Sequence, residues 1–210
     1  MKKLVSFGLS FVTISLLAGC ATSTANYTAP LHTSTPLNSK NYSIPFDDAW
    51  DKLVKNLSSD FFVINNIDKN SRLINVSFSS QKPSDFIDCG STLRTFKNAR
   101  GDQQYSYFAA DSAQFTTTNG QGIVANVNRK TKLDGRVNIY VAPEEKGTIV
   151  NVNTKYILGV EMHIYPLGGS PLAPSNFTAD FSTKTSYSGT DFSCYTKGTI
   201  ENRVFAFLEK

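Results

Sequence analysis

The sequence predicts an α+β domain, a curved antiparallel sheet of five to seven strands packed on an N-terminal and a C-terminal helix. Three patterns carry this expectation. Phe46, Trp50, Leu53, Val54 and Leu57 recur at the spacing of one helical face. Between Ile123 and Tyr156, apolar and polar residues alternate as on strands with one packed and one wet face. Ile200, Val204, Phe207 and Leu208 form a second helical stripe close to the end of the chain. Of the 210 residues, 40% are hydrophobic and 12% aromatic, enough for a core and too many for global disorder.

Taken in order, the chain opens with Lys2 and Lys3, an apolar run of 14 residues from Leu4 to Leu17, and then small residues. Those are the parts of a signal peptide, and the run is shorter than the roughly 20 residues that a membrane span needs. Residues 1–19 therefore read as a leader and the protein as exported. Residues 20–40 are rich in Ser, Thr and Pro without a period, and read as a flexible tether. A single domain is expected over 41–210.

Within that domain, Asn41 to Ile44 suits a short strand. Pro45 pre-sets the first turn of the helix from Phe46, and Asp47 and Asp48 suit its positive end. The helix is expected to end near Ser58-Ser59-Asp60. Phe61 to Ile67, the turn residues Asp68 to Ser71, and alternating Ile74, Val76 and Phe78 predict a hairpin. Residues 80–102 read as looser, followed by strands at Gln103 to Phe108 and Ala113 to Thr117. Asp134-Gly135 gives a turn or bulge signal between two alternating segments. Pro166 to Pro174 reads as a loop, and Phe177 to Tyr187 as one strand whose Phe177, Phe181 and Tyr187 share a face that suits the core, the alternative being a ligand groove. Thr199 is the expected N-cap of the last helix.

The residues offer little for chemistry. The histidines are His32, in the tether, and His163, and neither stands by a recognisable nucleophile. His163 and Glu161 share a strand face and read as a solvated pair. No closed metal site and no cofactor are expected, since the ligands are too few. Gly120-Gln121-Gly122 lacks the lysine and helix of a phosphate loop and reads as a turn. Asp47, Asp48 and Asp51 are accounted for by the helix dipole, and Trp50 by the core. Formal charge is +4, and without Lys2 and Lys3 the balance is 19 basic against 17 acidic residues, or +2, with no basic block. Nucleic acid is not an expected partner. With Cys20 consumed at the leader, Cys89 and Cys194 remain, and exported proteins commonly pair such cysteines. The other reading is two buried free thiols. In the loop of Leu167, Gly168, Gly169 and Leu172, the two leucines stand on a Gly/Pro frame, which reads either as a plain connector or as a partner-contact loop.

Leu17-Ala18-Gly19-Cys20, at the end of the leader, resembles the lipobox of bacterial lipoproteins. The resemblance implies acylation of Cys20, palmitate being a typical chain, and cleavage before it. Ala21 in the next position implies sorting to the outer membrane, with the domain facing the periplasm. Phe46 to Leu53, Ile67 to Ile74, Asp88-Cys89-Gly90 and Gly198 to Glu201 are similar to pieces of small proteobacterial lipoproteins. The helix-then-hairpin start resembles the helix-grip domains of a lipoprotein of the β-barrel assembly machinery, from which this chain departs by its single domain. The expected function is thus a non-enzymatic component of the cell envelope that binds an envelope protein. The alternative is a carrier for a small apolar or lipid-like ligand.

Overall fold

The computed structural model describes residues 21–31 and 35–209; the leader 1–19, Cys20 and His32 lie outside the described residues. It is of the α+β class, mostly antiparallel sheet with two helices. Among the described residues, thirteen strands form three sheets, of which the largest has seven strands. The expected single sheet thus covers only part of the fold.

The N-terminal stretch already departs from expectation. The residues read as a flexible tether hold strand β1 (Thr22–Thr28) and part of β2 (Ser39–Tyr42). In β1, Ser23, Ala25 and Tyr27 point one way. The Ser23 hydroxyl lies 3.0 Å from those of Thr117 and Thr118, and the Tyr27 hydroxyl donates to the Cys89 carbonyl over 3.0 Å. Backbone pairing with residues 91–97 and these hydroxyl bonds, not apolar burial, hold the strand, so hydrophobic periodicity is silent about it. Helix α1 (Phe46–Ser59) follows, burying Ala49, Trp50, Leu53 and Leu57 as its spacing requires. Each fully buried leucine contributes about 1.5–3 kcal/mol relative to exposure. Strands β3 (Val63–Asp68) and β4 (Leu73–Ser80) form the expected hairpin, and a 3-10 turn at Pro83–Asp85 leads to β5 (Ile87–Asp88).

The stretch read as loose contains β6 (Ser91–Asn98), which continues into β7 (Gly101–Phe108). These two strands pair with β1 in the order β1-β6-β7, a small sheet of its own. Strand β8 (Ala113–Thr118) and the turn after it lead to β9 (Val124–Glu144), a strand of 21 residues paired along its length with the 20-residue β10 (Gly147–Pro166). Asp134 and Gly135 therefore do not turn the chain; they lie in the middle of β9. Asp134 pairs with Lys132 over 2.8 Å on the exposed face, while the Phe78 ring occupies the space over Gly135 that a side chain would fill.

This long hairpin is the spine. Beside its turn, β4 pairs with β9 and β2 with β10; toward its other end, β8 pairs with β9 and β11 (Ser175–Ser182) with β10. The expected strand through Tyr187 breaks after Ser182, where a turn closes by Thr185 donating its N–H to the Ser182 carbonyl. Tyr187 belongs instead to β12 (Tyr187–Ser188), which pairs with β13 (Ser193–Thr196) and through it with β5. Helix α2 (Thr199–Ala206) closes the chain. Its N-cap is Gly198 at φ +71°, where a residue without Cβ is favoured, and not Thr199. The Thr199 hydroxyl donates to the Asp85 carbonyl over 3.0 Å.

Register lines up the core. Ile74, Ile139 and Val152 stand side by side across three strands, as do Val76, Val137 and Thr154, then Phe78, Gly135 and Tyr156. Helices α1 and α2 pack against this half of the hairpin and share one cluster with it. The other half of the same β9 face continues as Leu133, Thr131, Arg129, Val127 and Ala125, all buried. At Arg129 a charge interrupts the apolar series.

Candidate functional site

Cys89 and Cys194 are joined by a disulfide between residues 105 apart in sequence. It sits at the junction of β5 and β13, and Tyr27 fastens β1 to it by donating to the Cys89 carbonyl and accepting from the Ser193 N–H over 3.1 Å. The loop with Leu167, Gly168, Gly169 and Leu172 lies at the open end of the long hairpin, with Leu167 61% and Leu172 54% exposed. Its ends are tied down: the Leu167 N–H donates to the Val124 carbonyl over 2.8 Å and the Leu172 N–H to the Ile164 carbonyl over 3.0 Å. His163 Nε2 lies 2.9 Å from a Glu161 carboxylate oxygen, in ion-pair range but without hydrogen-bond geometry, and its ring stacks on Tyr165. No group of three or more His, Cys, Asp or Glu able to hold a metal occurs among the described residues.

The feature with most chemical content is a cleft of about 370 Å³ where the small sheet faces the open half of the hairpin. Alternation on the small sheet builds one wall: Ala25 and Tyr27 from β1, Thr92 and Arg94 from β6, Tyr107 from β7. Arg129 of β9, Met162 of β10 and Phe177 of β11 form the other, with Asp191 and Phe192 at one side. Met162 is the register partner of Arg129, which brings the charge and the apolar wall together.

Arg129 is only 7% exposed. Its Nη2 donates to the Ala109 carbonyl over 2.6 Å and its Nη1 to the Asp111 carbonyl. Burial pulls its guanidinium below the ordinary arginine value; Arg94 acts in the same direction, and Tyr107 and Asp111 oppose it. Arg94 donates through Nε to the Tyr107 hydroxyl over 3.0 Å, and its guanidinium lies 4.1 Å from the centre of the Phe115 ring. Tyr107 in turn stacks on Phe115.

No family model, curated protein or solved structure matches this chain. The cleft and its chemistry therefore stand on their own geometry.

A second buried polar group lies under α2. Glu201 is 0% exposed and accepts hydrogen bonds from the Thr183 hydroxyl at 2.7 Å and the Tyr156 hydroxyl at 3.3 Å. The Tyr156 hydroxyl accepts from Thr196 over 3.0 Å, and burial, then the Glu201 charge, pushes the Tyr156 pKa up. Glu201→Ala is expected to cost about 1–3 kcal/mol, because the Tyr156 hydroxyl loses its acceptor and the Thr183 hydroxyl keeps only the Thr154 carbonyl at 3.3 Å. Glu201→Gln keeps an acceptor and is expected to cost less. Urea midpoints of the two variants check this, and equal midpoints would count against the hydrogen-bond account.

Sequence patterns miss the cleft and Glu201 for different reasons. Glu201 leaves a usable signal, since Glu201, Phe205 and Leu208 share a helical face and all three are buried. The cleft leaves little beyond Phe177, for whose aromatic face a groove is the alternative to the core, because its walls come from short pieces scattered between residues 25 and 192.

Proposed function

We propose that the protein is an outer-membrane lipoprotein with no enzymatic role, acylated at Cys20, whose domain binds an envelope component on the periplasmic side. The lipobox-like Leu17-Ala18-Gly19-Cys20 behind a three-part leader carries this reading. Two or three acyl chains, at about 0.8 kcal/mol per buried CH₂, make such an anchor effectively permanent. The position of β1 shortens the link to it. The strand begins at Thr22, so an anchor on Cys20 stands two residues from the sheet, at most about 7 Å of extended chain. The domain then stands at the membrane surface rather than on a long stalk.

Ser23 bonds to Thr118, Thr118 pairs with Val124, and Val124 binds Leu167, so the exposed loop shares a rim with the anchored end of β1. That neighbourhood supports the loop as a contact for a partner held near the bilayer. The packing of α1 and α2 on the long hairpin supports a helix-grip-like description of the fold. The test is palmitate labelling and membrane fractionation of the full chain and its Cys20→Ser variant, each with crosslinking. The expected result is a labelled outer-membrane protein with a reproducible envelope partner, and a variant without label, membrane residence or partner. Label retained by the Cys20→Ser variant would overturn the anchor.

The cleft favours a second reading, a carrier for a small apolar or lipid-like molecule. Its volume lies in the range of small-molecule sites, about 300–1,000 Å³. Met162, Phe177 and Phe192 give it an apolar side.

A further inference from the structure

We infer that the cleft between the small sheet and the long hairpin binds a small amphipathic oxyanion, its carboxylate or phosphate head between Arg94 and Arg129 and its apolar body against Met162, Phe177 and Phe192. The inference rests on the carrier reading and adds the chemical class of the ligand.

The first ground is charge without a contacting carboxylate. Neither arginine forms an ion pair with a carboxylate among the described residues. Buried charges are ordinarily paired, because taking an ion out of water is costly. The carbonyls of Ala109 and Asp111 orient Arg129 and leave its net charge in place. Tyr107 and the Phe115 ring do the same for Arg94. The carboxylate of Asp111 acts on Arg129 from a distance without pairing with it, and is held by the Ser84 N–H at 2.9 Å and the Ser84 hydroxyl at 2.6 Å. The acid in the lining is Asp191, which is exposed, so the lining itself holds two arginines and one carboxylate at its side.

The second ground is that the guanidiniums are held in place from behind. A guanidinium presents a fixed fork of donors that suits the paired oxygens of carboxylate and phosphate. Two such forks, fixed by carbonyls and aromatic rings rather than by acids, make a positive site ready for an oxyanion. Beside Arg129 on the hairpin wall stands Met162, and the Phe177 and Phe192 rings, 5.4 Å apart, extend this apolar side. A fully hydrophilic anion would leave that side unused, and a neutral lipid would leave the two charges unanswered.

Isothermal titration of the full chain with decanoate, decyl phosphate, decanol and decyltrimethylammonium, all below micelle-forming concentrations, tests the inference. Decanoate or decyl phosphate should bind one to one, with the preferred head identifying carboxylate or phosphate. Decanol should bind at least tenfold more weakly than the preferred anion, and the ammonium weaker still. Arg94→Gln should weaken the anion at least tenfold and decanol less than twofold. Arg129→Met should do the same, and if its loss of carbonyl bonds unfolds the protein, Arg94→Gln carries the test, since Arg94 is only half-buried. Decanol binding as tightly as the anions, or Arg94→Gln leaving anion affinity unchanged, overturns the oxyanion and leaves a carrier of neutral molecules. Binding of none of the four overturns the carrier reading with it.

Discussion

Replacing Cys89 and Cys194 together by alanine is expected to destabilise the protein by about 2–5 kcal/mol, seen as a Tm lower by about 5–15 °C. Two contributions act in the same direction. The bridge closes a loop between residues 105 apart, and in the chain-entropy model a loop of about 100 residues corresponds to about 4.7 kcal/mol. Both cysteines are also buried, so the truncated side chains leave packing defects. Loss should be local before it is global. Strand β5 meets β13 through only two residue pairs, Tyr195 with Asp88 and Thr196 with Ile87, and strands that short do not hold by themselves. Tyr27 is bonded on both sides of the disulfide, so β1 should loosen with it. Hydrogen exchange in the double variant should therefore rise first around residues 22–28, 87–90 and 187–196. Protection lost uniformly, or a Tm equal to that of the wild type, would sink this account.

The Cys89–Cys194 bridge was legible in the sequence for a chemical reason, since a chain read as exported and left with two cysteines is expected to pair them. Helix α1 and the β3–β4 hairpin were legible because their apolar residues keep one period from end to end. Strand β9 was not legible as one element. Asn128, Lys130 and Lys132 mark its wet face as expected, but Arg129 and Thr131 put polar atoms on the buried face and break the alternation. Asp134-Gly135 then adds a turn signal that tertiary packing overrides. Strand β1 was missed because Ser23 and Tyr27 dock it through hydroxyls, for which no spacing rule exists. These misreadings meet in one place. Tyr27, one of the residues that hid β1, and Arg129, one of those that broke β9, both line the cleft. A polar side chain at an inward strand position is a weak fold signal and a strong functional one.

Gly135→Ala is expected to destabilise the protein by about 1–3 kcal/mol through overpacking, and Gly135→Val by more. In an ordinary strand the sign would be the reverse: alanine restricts the unfolded chain more than glycine does, which stabilises by about 0.4–1 kcal/mol where the native backbone accepts it. Nothing in the Gly135 backbone forbids alanine, because its φ is not positive. The obstacle is Phe78. A Cβ on Gly135 would stand 2.0 Å from Phe78 Cε1 and 2.3 Å from Cζ. The ring has little room to yield, since Phe86 lies at 5.2 Å, Phe61 at 5.9 Å, Phe62 at 6.2 Å and Tyr156 at 6.3 Å between ring centres. Moving it would disturb the row in which Phe78, Gly135 and Tyr156 lie side by side, one step from the Glu201 hydrogen bonds. A double-mutant cycle isolates the contact. Phe78→Ala alone should cost about 3–5 kcal/mol as a cavity. Combined with Gly135→Ala it should cost less than the sum of the two, because the added methyl enters the space the ring has left. A coupling of about 1–3 kcal/mol in urea unfolding is expected. Strict additivity would mean that the ring and the glycine do not depend on each other, and that the turn-like Asp134-Gly135 pair in mid-strand has some other cause.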